Sequence, residues 1–150
     1  MIETNTDTLL THERADVVRP LNTIQSYHAH IYFDGAGQRQ AAEALREDIG
    51  QRFPVLLGRW HDRPIGPHAR PMYQVAFKPM EFSRFVPWLM LNRRGLAVLI
   101  HPNTGRPLAD HLDNATWMGE VLEIMNLHLL PEHEGPEPEI VPNTDPTVMP

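Results

Sequence analysis

Tyr27-His28-Ala29-His30-Ile31-Tyr32-Phe33 alternates two kinds of side chain with a period of two, the pattern of a strand whose successive residues point to opposite faces. Tyr27, Ala29, Ile31 and Phe33 form one face and His28, His30 and Tyr32 the other. The apolar face predicts packing against helices, which leaves the two imidazoles side by side on the far face of the sheet. Working outward, the strand spans residues 24–33. Residues 37–52 follow with Ala41, Ala44, Leu45 and Ile49 at helical spacing among good helix formers. Residues 53–60 read as a second strand, with Pro54 at its start where a missing N–H is tolerated.

The segment His61-Asp62-Arg63-Pro64-Ile65-Gly66-Pro67-His68-Ala69-Arg70-Pro71 is a loop whose prolines restrict the backbone and lower the entropy lost in holding its side chains. Met72–Phe77 reads as a third strand. Residues 79–91 read as a second amphipathic helix carrying Phe82, Phe85, Val86 and Leu89, with Pro87 inside it as a source of kinking. Residues 96–102 form a nearly all-apolar fourth strand ending at His101. A final helix is expected over residues 115–129, where Trp117, Met118, Val121, Leu122 and Met125 share a face.

This order predicts an α+β fold, a ferredoxin-like β-α-β-β-α-β sandwich with an additional C-terminal helix, its helices on one side of the sheet and the other side open. Residues 1–22 are expected to be a flexible arm, residues 23–130 the domain, and residues 131–150, rich in Pro and Glu, a disordered tail.

Composition narrows the chemistry. Acidic residues outnumber basic ones, 19 to 13, for a net charge of −6, which disfavours nucleic acid and anionic membrane surfaces as partners. With no cysteine, thiolate metal sites, disulfides and cysteine nucleophiles are excluded, so any metal must be held by nitrogen and oxygen. The first residues contain early acids and no long apolar run. They read as neither signal peptide nor membrane span, and a cytoplasmic location is the default expectation. No phosphate-cradling glycine loop and no nucleophile elbow is present. What stands out is nine histidines, the side chain that most often binds divalent metals and that moves protons near neutral pH. His12, His128 and His133 fall in the arm, a helix end and the tail and read as surface groups. Trp60, Trp88 and Trp117 read as core aromatics.

Three separated stretches carry a further signal: Tyr27–Asp34 (YHAHIYFD), Gly58–Phe77 (GRWHDRPIGPHARPMYQVAF), and Pro87–Gly105 (PWLMLNRRGLAVLIHPNTG) with Asp110-His111 after it. Together, in this order, they resemble the DOPA 4,5-dioxygenase family over about residues 25–130. The resemblance implies extradiol cleavage of a catechol ring such as that of dihydroxyphenylalanine, with O2 and non-haem Fe(II). Zn(II) is an alternative occupant after purification, because it outcompetes Fe(II) for such ligands. The histidines inside the matching stretches are His28, His30, His68, His101 and His111. His61 also lies there and reads as a loop hydrogen-bonder.

The resemblance leaves open which of them bind metal; from their positions His28, His30 and His101 are read as the metal ligands and His68 and His111 as proton-transfer groups, with His68 the alternative third ligand. A carboxylate from Asp110, Asp62 or Glu120 could complete the set, and a three-histidine site is equally allowed. For an amino-acid substrate, Arg59, Arg63 and Arg70 bracket the proline-rich loop. Arg70 is the candidate partner for a carboxylate, and Tyr32 and Tyr73 are candidates to contact the ring. A homodimer formed through the open sheet face is expected. The competing reading is a non-catalytic protein that uses the same histidine pocket to hold a metal or a small aromatic ligand.

Overall fold

A computed structural model describes residues 17–150. Its centre is a five-stranded, fully antiparallel sheet made of β1 (Ser26–Tyr32), β2 (Leu56–Leu57), β3 (Met72–Phe77), β4 (Val98–Asn103) and β5 (Thr116–Met118), in the spatial order β2-β3-β1-β4-β5. Helix α1 (Gly35–Arg52) joins β1 to β2, and helix α2 (Phe82–Asn92), entered through a 3-10 turn at Pro79–Glu81, joins β3 to β4. The first four strands thus have the ferredoxin-like order, with β5 added beside β4.

Alternation sorts the side chains as the sequence predicts. Ala29, Ile31 and Phe33 of the first strand region pack with Tyr73, Val75 and Phe77 of β3 and Val98 and Ile100 of β4. Against them α1 buries Ala42, Leu45 and Ile49, and α2 buries Phe85, Val86 and Leu89. The opposite face is not open. Tyr32, Met72, Ala97 and Leu99 are buried there under Ala115, Trp117, Leu122 and Ile124. The surface through which a dimer was expected is therefore occupied by the chain itself.

Residues 115–129 do not form the expected helix. Thr116–Met118 pair with β4, and Gly119 then takes φ +79 with an Arg93 guanidinium nitrogen 2.5 Å from where a Cβ would lie. That conformation cannot continue a right-handed helix, and Asn126 at φ 48 breaks the register again. Of the residues that set the apolar spacing, Trp117 and Leu122 cover the sheet, Met118 joins the helix-side core, and Val121 and Met125 are exposed. A one-turn helix, α3 (Pro107–His111), precedes β5.

The proline- and glutamate-rich segment after Pro131, expected to be disordered, lies against the domain along a hydrogen-bonded path. Glu134 N–H donates to Gly105 O, and Glu137 N–H to the Gln25 side chain. Beside β2, Val55 N–H donates to Thr144 Oγ1 and Leu57 N–H to Asn143 Oδ1, while Asn143 donates from its backbone to Val55 O and from its side chain to Leu57 O. Ile140 is buried. Composition underestimates this order because Asn143 and Thr144 satisfy an edge strand through side chains rather than through a regular ladder. Of the expected N-terminal arm, residues 1–16 lie outside the described residues. Val17–Asn22 are exposed, and Arg19 reaches Asn114 Oδ1 at 3.3 Å.

Candidate metal centre

The face of the sheet opposite the two helices gathers five imidazoles. His28 and His30 project from β1, and His101 from β4 stands directly across from His28 in the register. His68 comes from the proline-rich loop, buried and held by a bridge to Ile124. His111 comes from the end of α3. Ring centroids are 5.1 Å apart for His28–His101, 4.2 Å for His30–His68 and 4.0 Å for His101–His111. His28, His30 and His101, and separately His30, His68 and His111, each offer three nitrogens within 4.8 Å of one another. His30 belongs to both sets.

Hydrogen bonds fix which nitrogens are available. Nδ1 of His101 lies 2.9 Å from Pro102 O, and Nδ1 of His111 lies 2.7 Å from Pro107 O. A carbonyl can only accept, so both Nδ1 atoms carry hydrogen and both Nε2 atoms present lone pairs. Nε2 of His30 lies 3.0 Å from Nε2 of His101. Two nitrogens bound to one ion at about 2.1 Å, at right angles, stand about 3 Å apart. Nδ1 of His30 is buried without a partner. These features fit a divalent metal shared between the imidazoles.

Electrostatics agree. Burial pushes His28 and His68 down to about 4, with nearby imidazoles adding to the effect, and lowers His30 and His101 well below the usual histidine range. His111 is lowered by burial as well. At neutral pH the cluster is therefore uncharged, the form that ligates metal.

No carboxylate completes a ligand set among the described residues. Asp110, 1% exposed, accepts from Thr104 N–H, Thr104 Oγ1 and Asn114 Nδ2. Asp62 is tied to Arg39 and to the Trp60 indole, and Glu120 forms a two-pronged pair with Arg70. Of the residues expected to bind substrate, Tyr32 lies on the histidine face with its hydroxyl 2.7 Å from Nδ1 of His68. Tyr73 does not reach that face. It is buried among the helices, and its hydroxyl donates to Ala42 O. Arg70 is committed to Glu120. His61 stays outside the cluster, bridging Met72 through its backbone. A cavity of about 270 Å³ opens beside the imidazoles and is lined also by Gln74, Asn103, Glu134 and Glu137. Sequence reasoning missed these four. Gln74 could have been found from the alternation of β3, which places Met72, Gln74 and Ala76 together, whereas Glu134 and Glu137 could not be found from a segment read as disordered.

A ferredoxin-like sheet carrying, on its non-helical face, a cluster of uncharged histidines that could hold a metal ion is the class of protein that fold and site define. The chain belongs to the Dopa 4,5-dioxygenase family, which it matches over residues 27–127. It is 41% identical over 110 residues to an uncharacterized 21.2 kDa protein of Botryotinia fuckeliana, covering 66% of this chain and 60% of that one. It is 32% identical over 133 residues to the DOPA 4,5-dioxygenase of Amanita muscaria, covering 83% of this chain and 58% of the other. The chain thus spans about three-fifths of the length of these relatives. A crystal structure of a candidate dioxygenase from Nostoc punctiforme superposes with a TM-score of 0.72 at 49% identity, covering 75% of this chain and 96% of that one. Among the described residues, no helix is long and apolar enough to cross a membrane.

Proposed function

We propose that this protein is a non-haem iron(II) extradiol dioxygenase that opens the ring of a catechol with O2. The observation that carries the reading is the convergence of His28, His30 and His101, with Nε2 of His30 and His101 at 3.0 Å, in a protein of the Dopa 4,5-dioxygenase family. His28, His30 and His101 are preferred over the set containing His68 and His111 because all three stand on adjacent central strands. Sheet register holds them more rigidly than a loop and a one-turn helix could. Bound Fe(II) would supply a Lewis-acidic, redox-active centre at which a catecholate and O2 can meet.

The chain's own residues bind, orient and move protons. His68, neutral at pH 7, can take a catechol proton at Nε2 when its Nδ1–H donates to the Tyr32 hydroxyl. Burial raises the Tyr32 pKa, so its hydroxyl stays protonated and steadies the imidazolium as a hydrogen-bond acceptor. His111, its tautomer fixed by Pro107 O, presents a bare Nε2 to the same space as a second proton carrier. Tyr32, Met72 and Leu99, buried on the same face beside the imidazoles, keep water from that end of the cluster.

The test is anaerobic reconstitution with Fe(II), followed by a catechol and air, while oxygen consumption and a yellow ring-opened product are recorded. Both signals are expected in stoichiometric proportion. Metal binding with no oxygen uptake for any catechol would favour the binding-protein reading.

A further inference from the structure

Gln74 stands directly across from His30 in the pairing of β1 with β3. Its neighbours Tyr73 and Val75 point into the helix-side core, so alternation turns Gln74 to the histidine face. Two cavities meet at it: the histidine cavity of about 270 Å³, and an adjoining one of about 350 Å³ that shares His28 and continues past Leu56 and Ala76. The stem of the side chain is fixed. Gly58 N–H donates to Gln74 O at 2.8 Å, and a Cβ on Gly58 would stand 3.2 Å from that oxygen and 3.4 Å from Gln74 Cβ, so the two chains approach more closely than a side chain at position 58 favours. The tip is uncommitted: among the described residues the Gln74 amide has no hydrogen-bond partner.

The other polar groups around this space are acceptors or are already spent. Asp110, Glu134 and Glu137 only accept when ionised. Nε2 of His111 is bare, and Asn103 donates its amide to the Ser26 hydroxyl at 2.9 Å. Among the described residues no lysine or arginine lines either cavity; Lys78 lines a neighbouring space and pairs with Glu139 at 3.5 Å. A catechol oxygen that has given up its proton is a charged acceptor, and an N–H bond to such an oxygen is about twice as strong as a bond between neutral groups. Gln74 Nε2 is the donor placed to supply it.

We propose that Gln74 is a substrate-binding residue whose Nε2–H donates to the catechol oxygen that loses its proton to His68. This inference rests on the catechol-dioxygenase reading and adds to that site the group that holds the deprotonated oxygen. The O–H bond breaks, an N–H bond forms at Nε2 of His68, and the electron pair left on oxygen accepts from the Gln74 amide. A carboxamide suits the place because it donates without titrating and does not compete with the imidazoles for the proton or for a metal.

The test measures binding of 4-methylcatechol to Zn(II)-loaded protein by anaerobic calorimetry, for the wild type, Gln74→Leu and Gln74→Glu. Q74L is expected to bind about tenfold more weakly, which corresponds to about 1.4 kcal/mol. Q74E is expected to bind more weakly still, because a carboxylate of the same shape cannot donate and repels the charged oxygen. Zn(II) affinity, measured on the same proteins, is expected to be unchanged, and kcat/KM of the Fe(II)-loaded proteins to fall in the same order.

Catechol affinity of Q74L within about twofold of the wild type, or Q74E binding as tightly as the wild type, would overturn the proposal. So would loss of Zn(II) binding in both variants, which would make Gln74 a support of the histidines instead. The glutamate is isosteric with glutamine, so Q74E decides the matter even if Q74L folds poorly. If wild-type protein neither binds the catechol nor consumes oxygen with it, the catechol reading fails and takes this proposal with it. If the wild type binds it and both variants bind it equally well, the proposal alone fails.

Discussion

Acidifying the metal-free protein from about pH 7.5 to about pH 5 should cost it about 4 kcal/mol through two histidines alone. His28 and His68 are held at about 4 by burial, against about 6.5 in the unfolded chain. Below about 6.5 the unfolded chain takes up a proton at each position and the folded protein does not, so stability falls as pH falls and is independent of these groups above about pH 7.5. Evaluated at pH 5, the imbalance is about 2 kcal/mol per histidine. The loss for each continues until the folded-state value near 4 is passed. His30, His101 and His111 are shifted in the same direction, which makes the two-histidine figure a lower bound. A domain of this size has about 5–15 kcal/mol in total, so the loss is a large share.

Urea titrations followed by circular dichroism should show the midpoint falling by about 2 M between the two pH values, at a slope of about 2 kcal/mol per M. His68→Phe should reduce that shift. Saturating Zn(II) should raise the midpoint at neutral pH and steepen the loss in acid, since ligation requires neutral imidazole. A midpoint that moves by less than about 0.5 M in the metal-free protein would refute the picture of a buried, neutral cluster.

Other outcomes follow from the same geometry. Replacing His30 or His101 with Ala should abolish stoichiometric metal binding in calorimetry, while His61→Ala should retain it, since His61 contributes only backbone bonds to the strand. Tyr32→Phe removes the hydroxyl bonded to His68 and should lower kcat by about tenfold or more with metal content intact; equal loss of metal would instead make Tyr32 structural. Deleting residues 132–150 removes the bonds to Val55 and Leu57 and exposes the site of Ile140. It should cost at least about 2 kcal/mol in chemical denaturation, the scale of one buried aliphatic side chain.

The histidine face was legible because period-two alternation in Tyr27–Phe33 survives whatever the rest of the chain does: Ala29 and Ile31 must face the helices, so His28 and His30 cannot. The convergence of His101 follows from strand order, which the alternation of strands and helices predicts. Residues 115–129 misled because Trp117, Met118, Val121, Leu122 and Met125 fall at helical spacing although they serve different surfaces, Trp117 and Leu122 over the sheet, Met118 in the helix-side core, and Val121 and Met125 exposed, and Gly119 signalled the break. Tyr73 misled for a related reason. Aromaticity alone does not choose a face, and its register opposite Ile31 sends it into the helix-side core. Glu134 and Glu137 were invisible because their placement depends on contacts with Gly105 and Gln25, far away in sequence.

One segment meets two demands that are usually separate. Residues 143 and 144 blunt the free edge of β2, which would otherwise be a template for strand addition by another molecule. Residues 134 and 137, a few positions earlier, wall the histidine cavity. A single proteolytic cut between them and the domain would therefore release both at once: the damaged molecule would lose the wall of its histidine cavity and expose a sticky edge, so that opening of the cavity and self-association become the same event.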